Sequence, residues 1–129
     1  MNNTKHLGIW MDHSEAHLIA QAGDSLGTTV IKSDFSHKDK QETLHRSEYT
    51  MHHKEQHLAA DYYKKISQVI LKYDDIIIFG PTDAKHELFN ILSENALFDK
   101  IKIDIKQTDK LTENQELAFV REYFKLHSL

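Results

Sequence analysis

The sequence predicts one α/β domain over residues 1–129, built on a mixed five-stranded sheet in the order β-β-β-α-β-α-β-α. Three observations predict it. The first third alternates apolar and polar residues with a period of two, the mark of strands with two different faces. From about residue 55 the period becomes helical, and helical segments then alternate with strand-like runs. One of those runs, "DDIIIFG", is short and continuously apolar, as expected of a strand covered on both faces.

Taken in order, "HLGIWMD" sets Leu7, Ile9 and Met11 against Gly8, Trp10 and Asp12 and reads as the first strand. "EAHLIAQA" is the second, with Ala16, Leu18 and Ala20 on one face. "DHS" between them is a short turn, because the side chains of Asp12 and Ser14 can bond nearby backbone. "GDSLG" supplies two glycines around a second turn, and the β-branched "TTVIKSDF" is the third strand. These three form an antiparallel meander. Residues 36–54 have one leucine and no glycine or proline, and they read as a long, polar, histidine-rich loop. Loops of this length in compact domains are usually functional or disordered.

From about Glu55 the first helix puts Leu58, Tyr62, Ile66, Val69, Ile70 and Tyr73 on one face. Tyr62 takes the core side, which leaves its neighbour Tyr63 partly exposed. Gly80 and Pro81 end the fourth strand. "TDAKHELFNILSENAL" is the second helix, with Leu88, Ile91 and Leu92 inward. "KIKIDIKQ" aligns Ile101, Ile103 and Ile105 along one face of a fifth strand. "TENQ" is a capping box in which Thr112 and Gln115 bond each other's backbone amides. The third helix follows, with Leu117, Val120 and Phe124 inward. Strands four and five alternate with helices and so run parallel, through right-handed crossovers.

A chain of 129 residues can bury a core without disulfides or a structural metal. The lack of cysteine excludes disulfides, thiol nucleophiles and thiolate zinc sites, and it fits a reducing compartment. "MNNTKHLGIW" lacks the apolar run of a signal peptide or anchor. No stretch approaches the roughly 20 apolar residues that span a bilayer. A soluble, cytoplasmic protein with no membrane partner is expected. The formal charge of −4 argues against broad phosphate neutralisation, so any RNA contact is local, and no DNA partner is expected. Ten histidines make that balance pH-dependent, because an ordinary imidazole titrates near ~6.5.

Two stretches carry a family resemblance. "IIIFGPTDAKHELFNIL" resembles the strand–Gly-Pro–helix signature in the central domain of archaeal and eukaryotic class-1 release factors and of Pelota. The matching residues are Gly80, Pro81, Lys85, Leu88 and Phe89. The chain is more similar still to a group of small single-domain bacterial proteins identified as translational machinery proteins. Trp10, Asp12, His13, Glu15 and Ala16 match their Trp-x-Asp-His-x-Glu-Ala pattern. A histidine-rich middle follows, and "TENQELAFVREYF" matches their final motif. The resemblance spans almost the whole chain and implies a ribonuclease-H-like, release-factor-like fold and a role in translation. In release factors this domain triggers peptide release through a Gly-Gly-Gln loop between the third strand and the first helix. This chain has no Gly-Gly-Gln, and no glycine between Gly27 and Gly80, so that chemistry is not expected. Pelota also lacks the motif, yet docks on ribosomes. The codon-reading and partner-binding domains that flank its central domain are not expected here.

The stretch "LHRSEYTMHHKEQHL", residues 44–58, falls where release factors carry that loop. His53 and His57 are four apart, so a helix already begun at residue 53 projects both imidazoles from one face, as two ligands of one metal would need. His45 or His52 can supply a third ligand, and zinc, nickel or copper suits imidazole. "HKEQH" puts Lys54 where the glutamate base of His-Glu-x-x-His should stand, which disfavours zinc-protease chemistry. From His37 to His57 four basic residues balance four acidic ones, and protonating five histidines makes the segment strongly cationic. A pH-dependent RNA or ribosome contact through these histidines, with Arg46 and Lys54, is therefore coherent. A solvated loop with no ligand is the plain alternative.

Asp12 and Asp83 stand at adjoining strand ends, where ribonuclease-H-like nucleases hold two metals, but two carboxylates are fewer than such a site needs. A hairpin turn explains Asp12 as well, and a helix start explains Asp83. "FGPTDAK" can cradle a phosphate beside Lys85, or be a plain turn with Thr82 as N-cap. Trp10 is expected beneath a helix. The third strand is a free edge that permits pairing with another copy, and no motif gives the oligomeric state. The function expected is a non-catalytic ribosome- or tRNA-associated accessory protein working through His45, Arg46, His52, His53, Lys54 and His57. A metal-binding protein, zinc first, on His45, His52, His53 and His57 is the alternative. A metal-dependent nuclease-like hydrolase comes third.

Overall fold

Asp75–Gly80 (β4) is Asp-Ile-Ile-Ile-Phe-Gly, and all six residues are buried. Its alternate side chains enter two cores, Ile76 and Ile78 on one face of the sheet and Ile77 and Phe79 on the other. The computed structural model describes residues 5–22, 25–33 and 60–127. Around β4 it builds the sheet that the sequence predicts. β1 (His6–Met11), β2 (Glu15–Ala22) and β3 (Ser25–Lys32) form the antiparallel meander, and β5 (Lys102–Gln107) completes the order β3-β2-β1-β4-β5. β4 runs parallel to both β1 and β5.

The described helices are α1 (residues 60–70), α2 (Ala84–Ser93) and α3 (Glu113–His127). Period-two alternation in β1 decides which helix each side chain meets. Leu7, Ile9 and Met11 join Tyr62, Ile66 and Ile70 of α1 and Leu88 and Leu92 of α2. Trp10 faces the other way, into a core with Ile19, Phe79, Val120 and Phe124. Gly8 shares that second face because α3 approaches closely there: an added Cβ would overlap the side chain of Val120. The capping box is formed, with Thr112 N donating to Gln115 Oε1 at 2.9 Å and Gln115 N to Thr112 Oγ1 at 3.2 Å.

Four local expectations are corrected. β3 begins at Ser25 rather than Thr28, because the ladder with β2 is unbroken from Glu15↔Lys32 to Ala22↔Ser25. Leu26 and Gly27 are therefore paired residues and not part of a turn. Tyr63 is only 5% exposed, since α1 lies against α2 and the Tyr63 hydroxyl donates to Glu87. Ile91 is 43% exposed, because the inward stripe of α2 is Ala84, Lys85, Leu88 and Leu92. Ile91 instead lines an apolar groove of about 410 Å³ with Leu71 and Leu97. Finally, α2 stops at Ser93, and Ala96–Phe98 form a separate 3-10 turn whose start is held by Asn95 Oδ1 accepting from Leu97 N at 3.0 Å.

Candidate functional site

Parallel strands β1, β4 and β5 end together at one edge of the sheet, the usual place for ligands in α/β folds. The β1–β2 turn there is closed by Asp12. Its Oδ1 accepts from Ser14 N at 2.7 Å and Glu15 N at 2.9 Å, and its backbone N donates to Glu15 O at 3.0 Å. Two neighbours are tied to this turn. Tyr62 donates its hydroxyl to Asp12 O at 2.9 Å, tying α1 to the turn. Ser33 N donates to Ser14 O at 2.8 Å, fixing the end of β3. His13 Nε2 lies 3.0 Å from Glu87 Oε2, the oxygen that also accepts from Tyr63. Burial and the Glu87 carboxylate push the Tyr63 phenol up, so it stays a donor.

The β4–α2 turn lies alongside. Gly80 has φ +151°, and an added Cβ would overlap Met11 O, so both the backbone and the neighbouring strand require glycine. Pro81 O accepts from Gln107 Nε2 at 3.2 Å, and Gly80 O from Thr108 N at 3.1 Å. Asp83, not Thr82, is the N-cap residue of α2, and its side chain makes no cap bond; Thr82 Oγ1 accepts from Ala84 N at 3.2 Å. Lys85 is fully buried, and its Nζ donates to Thr82 O at 2.5 Å. Burial pulls its pKa down. This lysine ties its own turn together, and its ammonium does not face a solvent-side phosphate.

On the α3 face, His17 of β2 stands between two carboxylates. Its Nδ1 is 2.7 Å from Glu116 Oε1, and its Nε2 is 3.4 Å from Glu15 Oε2. The imidazole stacks on Trp10, with ring centroids 4.8 Å apart. Glu116 is a glutamate only 3% exposed. Burial raises its pKa, while its bonds to the two carboxylates raise that of His17 against the opposing effect of burial.

No family model and no curated protein matches the chain. Solved structures do match. Pelota of Thermoplasma acidophilum aligns with a TM-score of 0.62 at 16% identity, over 95% of this chain and 34% of that one. Pelota of Archaeoglobus fulgidus aligns at 0.60 and 9% identity, over 94% of this chain and 32% of that one. An archaeal translation termination factor aligns at 0.47 and 17% identity, over 98% and 41%. The fold is Pelota-like. At these identities the likeness is one of fold, and the chain spans about a third of the length of either Pelota.

Within this Pelota-like frame most of the motif residues serve the architecture. Trp10 and Ala16 are core, Asp12 closes a turn, Gly80 admits Met11 O, and Lys85 braces its loop. His13 and Glu15 reach partially exposed carboxylate and imidazole partners. His45, Arg46, His52, His53, Lys54 and His57, with the loop at 36–54 and the expected helix start at 55–59, lie outside the described residues. Among the described residues, no group of three or more histidines, aspartates and glutamates converges to hold a metal. Asp12 Oδ1 accepts both amides of the turn, and no metal-holding group of three or more forms around Asp12 among the described residues. No described helix is long and apolar enough to cross a membrane. Sequence reasoning missed Glu87, His17 and Glu116. Glu116 was within reach, since it lies four residues before Val120 on the inward face of α3.

Proposed function

We propose that this chain is a non-catalytic, translation-associated accessory domain that docks on a ribosome or tRNA in the bacterial cytoplasm. Residues 1–129 form one unit, and the stretch around His45, Arg46, His52, His53, Lys54 and His57 supplies the contact. The supporting observation is the fold: 95% of the chain aligns with Pelota at a TM-score of 0.62. The motifs at Trp10–Ala16 and Gly80–Phe89 point the same way. So does the end of the sheet: Ser33 and Tyr62 of α1, which flank the histidine-rich stretch in sequence, are both tied to the Asp12 turn. With no Gly-Gly-Gln in the sequence, the domain binds without cleaving an ester.

The test is co-sedimentation of purified protein with bacterial ribosomes, and a parallel gel-shift with tRNA. Binding that is lost when His45, His52, His53 and His57 are together changed to alanine supports the proposal. Absence of binding to either partner, or full binding by the variant, rejects it. Metal analysis of the same preparation reads out the metal-binding alternative.

A further inference from the structure

We infer that His17 is a proton-operated latch that holds the first turn of α3 against β2. The inference does not depend on the histidine-rich stretch or on ribosome binding. Its basis is the arrangement of four side chains from three elements. A neutral imidazole carries one N–H, but both ring nitrogens of His17 face carboxylate oxygens, at 2.7 Å and 3.4 Å. With both carboxylates ionised, only the imidazolium satisfies both. The Trp10 ring stacked on it, at a 28° interplanar angle, favours the same cation.

The groups facing His17 from each packed element are few. β2 contributes Glu15, α3 contributes Glu116 with Glu113 one turn earlier, and β1 contributes Trp10. β3 contributes Lys32, paired in register with Glu15, while Val30 is the register partner of His17 itself. When His17 loses its proton to water, the 3%-exposed Glu116 keeps its charge and loses its counter-charge. A buried carboxylate without a partner is costly. The cheapest escape is to lift the first turn of α3, which is held by this contact, by the packing of Leu111 and Leu117 on the core, and within the helix by the Thr112–Gln115 box.

The experiment is NMR on the whole chain, following the His17 ring resonances and the amide exchange of Glu116 and Leu117 between about pH 5.5 and 8.5. The latch predicts that His17 keeps its proton to a higher pH than an ordinary histidine does. It also predicts that Glu116→Gln moves that midpoint back down. Above the midpoint, exchange at Glu116 and Leu117 should rise severalfold relative to the middle of α3, after correction for base catalysis. In His17→Gln the protection of this turn should be the same at both ends of the range. A His17 that titrates at or below the ordinary value overturns the latch. Unchanged protection of the turn across the wild-type midpoint does so as well.

Discussion

Gly80 carries the sharpest single-residue constraint in the molecule. A side chain there meets an unfavourable φ of +151° and the Met11 carbonyl together. Gly80→Ala should therefore cost at least about 1–3 kcal/mol, read by urea denaturation. Gly27 is the control: nothing lies within 4 Å of an added Cβ, so Gly27→Ala should stay within about 0.5 kcal/mol of wild type. The His17–Glu116 pair makes a second prediction, with a definite sign. A histidine whose pKa is raised from 6.5 on folding contributes stability that is complete below that value and is lost as pH rises through the folded pKa. Glu116, raised from 4.5 by burial, acts in the same direction, because the folded state binds its proton more tightly. The urea midpoint should fall from about pH 6 to about pH 8, and fall less in Glu116→Gln. A wild-type midpoint that rises over that range would contradict the geometry.

Between residues, what the sequence shows depends on the kind of element. β4 was legible because a continuous Ile-Ile-Ile-Phe run admits few other readings, and it is buried throughout. The α3 start was legible because a capping box is local chemistry. Thr112→Ala should remove about 1 kcal/mol of stability and loosen the first turn, seen by amide exchange at Gln115 and Glu116. β3 was misplaced because Ser25 and Gly27 look like turn residues in isolation, whereas their pairing with Ala22 and Ala20 is non-local. Tyr63 and Ile91 were exchanged in exposure for a similar reason. Periodicity gives the face of one helix, but whether a flank is covered depends on the neighbouring helix, which the pattern does not contain. The same limit hid Glu87 and His17, whose partners are 74 and 99 residues away.

For the whole molecule, the two-sided core follows from the apolar pattern, the strand order from the parallel pairing of β4 with β1, and together they reproduce the fold of about a third of Pelota. The architecture absorbs much of the family-like motif. Trp10, Asp12, Gly80 and Lys85 pack, turn or brace. Under the proposed function the histidine-rich stretch makes the contact, and that contact is proton-dependent, since the segment from His37 to His57 is neutral only while its histidines are. The most direct measurement is the affinity of the full chain for bacterial ribosomes at equal ionic strength, at about pH 6 and about pH 8. The account predicts markedly tighter binding at the lower pH, with the difference abolished when His45, His52, His53 and His57 are replaced by alanine. Equal affinity at the two pH values would contradict it.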